Sequence, residues 1–200
     1  LHRSDSAPAD KRPAGRRLRW RVRASRIVGR RQDANSGAAD ATHTTMDITT
    51  LVLAVQTLNA HDAFKAGLGP QHWQTLAPYL ARHGLRAGDL LIRQGDADRS
   101  AYLLEQGNLQ VFVSGGAPGR SRISILRPGS LVGEPGLFAD VPRGANVEAM
   151  TPCVVWGLSV ARLDELCVRV PPLGLQVLRA AAAVMAVRVR AHIERGAPLI

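Results

Sequence analysis

Residues 132–147 gather the side chains best suited to chemistry in this chain of 200. Val132-Gly133-Glu134-Pro135-Gly136-Leu137 is followed, five residues later, by Arg143-Gly144-Ala145-Asn146-Val147. A glycine permits a tight turn, and a short helix can then start at Glu134. Backbone N–H groups at such a start lack intrahelical partners and attract an anion. Pro135 is harmless there, because its missing N–H falls at the first helical position. Gly136 has no side chain to block close approach, so its N–H can face a phosphate oxygen. Arg143 can clamp two phosphate oxygens with one planar fork, a geometry that lysine does not offer. A carboxylate beside a phosphate would repel it. Glu134 therefore makes sense as an acceptor for a sugar hydroxyl, as acids serve ribose in dinucleotide sites. One acid for ribose and one arginine for phosphate point to a small nucleotide.

The stretch resembles the phosphate-binding cassette of the cyclic nucleotide-binding domain family, in its catabolite-activator-like and kinase-regulatory-subunit-like forms. That family's pattern is an apolar residue, Gly-Glu, any residue, a small residue and an apolar residue, then Arg, a small or hydroxyl residue, and Ala. Val132, Gly133, Glu134, Gly136, Leu137, Arg143 and Ala145 match it. An upstream signature matches in register at Leu91-Ile92, Gly95-Asp96, Tyr102-Leu103-Leu104 and Gly107. The resemblance implies that Glu134 and Gly133 meet the ribose 2′-hydroxyl. It implies that Arg143, with Gly136, Gly144 and Ala145, holds the cyclic phosphate. Val111, Ile123 and Val132 would line the pocket, with Ser124 and Asn146 as polar contributors. No metal, catalytic residue or cofactor is implied, only a cAMP or cGMP ligand.

Three departures stand out. Gly144 occupies a position where the family has Ser, Thr, Ala or Gln; the missing hydroxyl favours cAMP over cGMP and removes about 0.5–1.5 kcal/mol of hydrogen bonding. Asp98 replaces a small residue, and Ala101 opens a run that is otherwise bulky; neither is expected to touch the phosphate.

The elements that must carry this cassette are legible from periodicity. Asp47 can cap a helix with Leu51, Val52, Val55 and Leu58 on its apolar face. Pro70 can open a second helix reaching about Leu80, with Trp73, Leu76 and Leu80 inward. From Leu85 onward, short strands are expected at 90–93, 101–105, 109–114, 123–126, 146–149 and 153–158, divided by glycine turns. A helical turn interrupts them at 134–138. Ser159 can cap a helix over 160–167, Pro171-Pro172 breaks the chain, and a long helix follows over about 173–192. The pattern suggests a sandwich or barrel. The resemblance sharpens that to an α+β, mainly β fold: an eight-stranded jelly-roll barrel flanked by N-terminal helices and a long C-terminal helix.

Composition narrows the function further. Residues 1–45 hold 11 Lys+Arg against 4 Asp+Glu, and the remainder holds 15 against 12, so the basic character belongs to the first segment. That segment reads as a disordered arm. It could bind nucleic acid or acidic lipid, or serve as a targeting peptide. Met46 stands directly before the first helical segment, which makes a translation start there the expectation. Residues 46–200 would then form the domain. Cys153 and Cys167 lack metal-site spacing and are expected to be reduced, buried and structural, in a cytoplasmic protein. No uninterrupted apolar run approaches the ~20 residues of a membrane span.

The expected protein is thus not an enzyme but a free-standing cyclic nucleotide sensor. It would signal through its C-terminal helix to an effector or to a second copy in a homodimer. Residues 194–200 leave no room for a helix-turn-helix reader, so DNA is not an expected partner. The alternatives are a structural or dimerisation module with a degenerate cassette, or a fragment of a cAMP-responsive transcription regulator. Met185, Arg188 and Val189 are candidates to cap the base.

Overall fold

The computed structural model describes residues 47–115 and 122–194. The expectations for the basic arm, Trp20 and the start at Met46 lie outside them. Helices α1 (Thr49–Thr57) and α2 (Pro70–Leu76) come first, and a 3₁₀ turn (Ala77–Tyr79) extends the second. Eight strands follow: β1 (Ala81–Leu85), β2 (Leu90–Ile92), β3 (Ser100–Gln106), β4 (Leu109–Phe112), β5 (Arg122–Leu126), β6 (Leu131–Val132), β7 (Asn146–Ala149) and β8 (Cys153–Ser159). Helix α3 (Pro135–Phe138) sits between β6 and β7, and α4 (Val160–Arg169) and α5 (Pro171–Glu194) close the order.

The strands form two antiparallel four-stranded sheets, β1-β8-β3-β6 and β2-β7-β4-β5, rather than one closed barrel. Strand alternation explains the two cores. Along β3, Tyr102 and Leu104 face the second sheet, where they and Val155 of the neighbouring β8 meet Leu109, Leu126 and Val147. Ala101 and Leu103 face the helices, together with Trp156 and Leu158 of β8. A strand buried on both faces reads as a continuous apolar run, which is what 101–104 shows. Trp156 is 1% exposed, and its indole N–H donates to the buried carboxylate of Glu105, which also pairs with Arg82.

Most expected elements are present, with shifted ends. Ser159 caps α4 as anticipated, accepting from the Arg162 amide at 3.4 Å; at α1 the N-cap is Ile48, and Asp47, one residue earlier, accepts from the Thr49 amide at 2.9 Å. Strands β1 and β6 went unforeseen. The first carries Arg82, His83 and Gly84, and the second is two residues long, so neither shows an apolar period. Pro171 and Pro172 do not break the chain but occupy the first turn of α5, where a missing N–H costs no bond. By length and composition α5 would pass for a membrane span, unlike the expectation drawn from uninterrupted apolar runs. Its inner face of Leu173, Val177, Ala180, Ala181 and Val184 is instead buried against the helical core. Cys153 is buried and Cys167 half-buried, and neither is in a disulfide.

Candidate functional site

The short connection from β6 to α3 sets the site. Gly133 has φ +78°, and a Cβ there would come within 2.9 Å of both Ile92 and the Ser100 carbonyl, so only glycine fits. This turn throws Glu134 inward, and its side chain is 5% exposed. The four residues of α3 make a small helix, and the Gly136 amide donates to the Gly133 carbonyl at 3.1 Å. That amide is therefore already partnered, where sequence alone had aimed it at a phosphate.

Arg143 arrives from the loop before β7. The two sequence motifs meet here. Gly95 N–H donates to the Arg143 carbonyl at 2.8 Å, and Arg143 N–H to the Asp96 carbonyl at 2.9 Å. The Gly-Asp pair of the upstream signature thus holds the backbone of the arginine. Its guanidinium is almost buried: Nη1 donates to Gly133 O at 2.8 Å, and Nη2 to Asp98 and to the Ser100 carbonyl. Gly136 passes so close that a Cβ there would lie 2.6 Å from Nη1. Arg143 Nε is the one buried side-chain polar atom without a partner among the described residues. Such an atom costs about 1–3 kcal/mol unless something outside the chain satisfies it.

Glu134 Oε1 accepts from Arg188 Nη1 at 2.9 Å, and no other hydrogen bond reaches its carboxylate among the described residues. Arg188 comes from α5. Its Nε donates to Asp62 at 2.7 Å and its Nη2 to the Leu131 carbonyl at 2.8 Å.

Arg143 and Glu134 line one cavity of about 650 Å³, within the range that small-molecule sites occupy. Of the residues anticipated from sequence, Val111, Ser124, Val132, Gly133, Gly136, Gly144 and Ala145 also line it. Ile123 lies on β5, but its side chain is outside the described part. Asn146 is a correction. It is buried and does not line the cavity; its Oδ1 accepts from Gln94 N at 3.0 Å and its Nδ2 donates to Ser114 Oγ at 2.8 Å. The amide braces a loop because β7 turns it away from the cavity. All three cap candidates, Met185, Arg188 and Val189, are on the wall.

Four further residues escaped sequence reasoning. Asp98 was set aside as a departure, yet its carboxylate is the counter-ion of Arg143. A carboxylate in place of a small residue, just after Gly95-Asp96, was the available signal. His61, Asp62 and His192 line the same cavity, from the α1–α2 connection and the end of α5. Nothing local marks them, since 126 residues separate Asp62 from its arginine.

Two antiparallel sheets thus frame one cavity, with a buried arginine and a buried glutamate of one helix-interrupted loop on its wall. The model of the cyclic nucleotide-binding domain matches residues 82–169 of the chain. Among curated proteins, the acetyltransferase Pat of Mycolicibacterium smegmatis is 36% identical over 95 residues, 46% of this chain and 28% of that protein. A cAMP-dependent protein kinase regulatory subunit of Blastocladiella emersonii is 34% identical over 79 residues, 40% of this chain and 20% of that one. The chain therefore spans under a third of the length of these relatives. Among solved structures, the Thermus thermophilus catabolite activator protein superposes with a TM-score of 0.58 at 26% identity, covering 66% of this chain and 61% of that one. A cyclic nucleotide-binding domain from Methylobacillus flagellatus gives 0.61 at 20%, covering 73% and 80%, and supports the fold.

Proposed function

We propose that this chain is a sensor for a cyclic purine mononucleotide, cAMP before cGMP, and that it passes occupancy of its cavity to α5. One observation carries the reading: among the described residues, a buried arginine with an unsatisfied Nε and a buried glutamate whose carboxylate accepts only from Arg188 line one cavity. A cyclic phosphodiester brings the negative charge that Arg143 can take, and its ribose brings a 2′-hydroxyl donor for Glu134. Val111, Val132 and Val147 offer the base and sugar an apolar floor. Gly144, without a hydroxyl, supports adenine over guanine.

The signal would leave through α5, because Met185, Val187, Arg188 and Val189 line the cavity that the ligand fills. Binding moves that helix only as far as the ligand prefers one helix position over another. The outer face of α5 exposes Leu175, Val189 and Ile193, and Ala182 falls seven residues from each of the first two. That spacing supports pairing with a second copy or with an effector helix, either of which would read the movement. On this reading the protein acts in the cytoplasm, which its two unpaired cysteines support.

Thermal unfolding with cAMP, cGMP, AMP and GMP tests the proposal. Free ligand at 100 times its Kd stabilises by about 2.7 kcal/mol. A rise in Tm is expected with the cyclic forms only, largest with cAMP, and Arg143→Ala should remove it. No rise with millimolar cAMP or cGMP would end the sensor reading.

A second reading draws on the same arginine. Both terminal nitrogens of Arg143 already bond to the chain, at Gly133, Asp98 and Ser100. In a module kept only for its architecture, that is the whole of the arginine's work. The same unfolding series separates the two.

A further inference from the structure

Arg188 joins Glu134, on the cavity wall, to the connection between the two N-terminal helices. Each of its three nitrogens bonds to a different part of the fold. Nε donates to Asp62, between α1 and α2; Nη1 donates to Glu134, at the start of α3; Nη2 donates to the carbonyl of Leu131, on β6. A guanidinium is rigid and planar, so holding Nε and Nη2 fixes where Nη1 points. The Arg188 side chain is 28% exposed, whereas that of Glu134 is 5% exposed. If the arginine lost its hold and swung into solvent, Glu134 would be left as a buried carboxylate without a cation. Such a group is poorly tolerated as an anion.

We infer that Asp62 is a positioning residue for ribose recognition, acting through Arg188 to hold Glu134 with its second oxygen toward the cavity. The inference rests on the nucleotide-sensor reading above. Asp62 lies outside the matched stretch of 82–169, as does Arg188. The ribose end is thus completed by two elements that flank the family's core. Asp62 itself lines the cavity, and its side chain is 32% exposed, so its replacement leaves the packed core intact. Glu134 meets a ligand only through the 2′-hydroxyl. Whatever Asp62 contributes through Glu134 must therefore vanish for a ligand lacking that group.

Calorimetry on the full chain with cAMP and with 2′-deoxy-cAMP tests this, using Asp62→Ala, Asp62→Asn, Arg188→Met and the Asp62→Ala/Arg188→Met double variant. Asp62→Ala should weaken cAMP binding about fivefold, within the range for coupled neighbours, and change 2′-deoxy-cAMP binding less than about twofold. Asp62→Asn keeps a neutral acceptor for Nε and should fall between. In the Arg188→Met background, Asp62→Ala should add nothing further. Equal losses for both nucleotides, no loss for either, or full additivity of the two substitutions would overturn the role of Asp62 while the sensor reading stands. Absence of cAMP binding by the unsubstituted chain would overturn both.

Discussion

Arg143 Nη2 and Asp98 Oδ2 lie 2.6 Å apart, the arginine side chain 5% and the aspartate 41% exposed. The aspartate is thus the half-solvated counter-ion of an almost wholly buried cation. A ligand phosphate would approach a guanidinium that already has one anion.

Removing that anion should separate structural from ligand-binding work. Asp98→Asn leaves Arg143 buried with carbonyl partners alone, and the unliganded protein should lose about 1–3 kcal/mol. A cyclic phosphate would then supply the missing charge, so the rise in Tm with cAMP should be larger in Asp98→Asn than in the parent. Urea unfolding of the unliganded proteins measures the first, and thermal unfolding with and without cAMP the second. Unchanged stability with an unchanged cAMP effect would show that Asp98 does not neutralise Arg143.

Two glycines of the cassette should answer oppositely to a side chain. At Gly144 a Cβ meets nothing within 4 Å. Gly144→Ser should therefore fold normally and, by adding a hydroxyl donor, tighten cyclic nucleotide binding by up to about tenfold. At Gly136 a Cβ would lie 2.6 Å from Arg143 Nη1 and 3.1 Å from its Cζ. Gly136→Ala should push the guanidinium aside and weaken cAMP binding by at least about tenfold. Calorimetry decides. Equal affinities in the two variants would mean that the arginine does not bind where this geometry puts it.

Tyr102 sets an alkaline limit. Burial first, and then the Asp98 carboxylate, push its phenol above the ordinary tyrosine value of 10.0. The folded state therefore holds the proton more tightly than the unfolded chain. This contribution is complete below about pH 10 and is lost as pH rises through the elevated folded value. Stability should decline above pH 10 in the parent, and less steeply in Tyr102→Phe. Parallel pH–stability curves for the two proteins would contradict the assignment.

How far the site was legible depended on whether its parts were local. Glu134, Gly133 and Gly136 declare themselves, because a tight turn into a short helix demands those types in that order. The pairing of Gly95-Asp96 with Arg143 was visible only as two motifs in register; the backbone bonds between them explain why they occur together. Strands β1 and β6 were missed because pairing with β8 and β3, not their own periodicity, makes them strands. Asn146 was misassigned because a polar residue beside Arg143 looks like a ligand contact until β7 shows which way it turns.

By itself the sequence determined the strand-rich fold with its flanking helices, the cassette and the charges it brings to bear, since propensity, alternation and turn chemistry act over a few residues. The tertiary structure alone decided which carboxylate meets which arginine. Asp98 with Arg143, and Asp62 and Glu134 with Arg188, are contacts across 45, 126 and 54 residues. At such separations no local rule applies; only the packing of the two sheets and α5 sets the few ångströms over which a guanidinium can choose its partner.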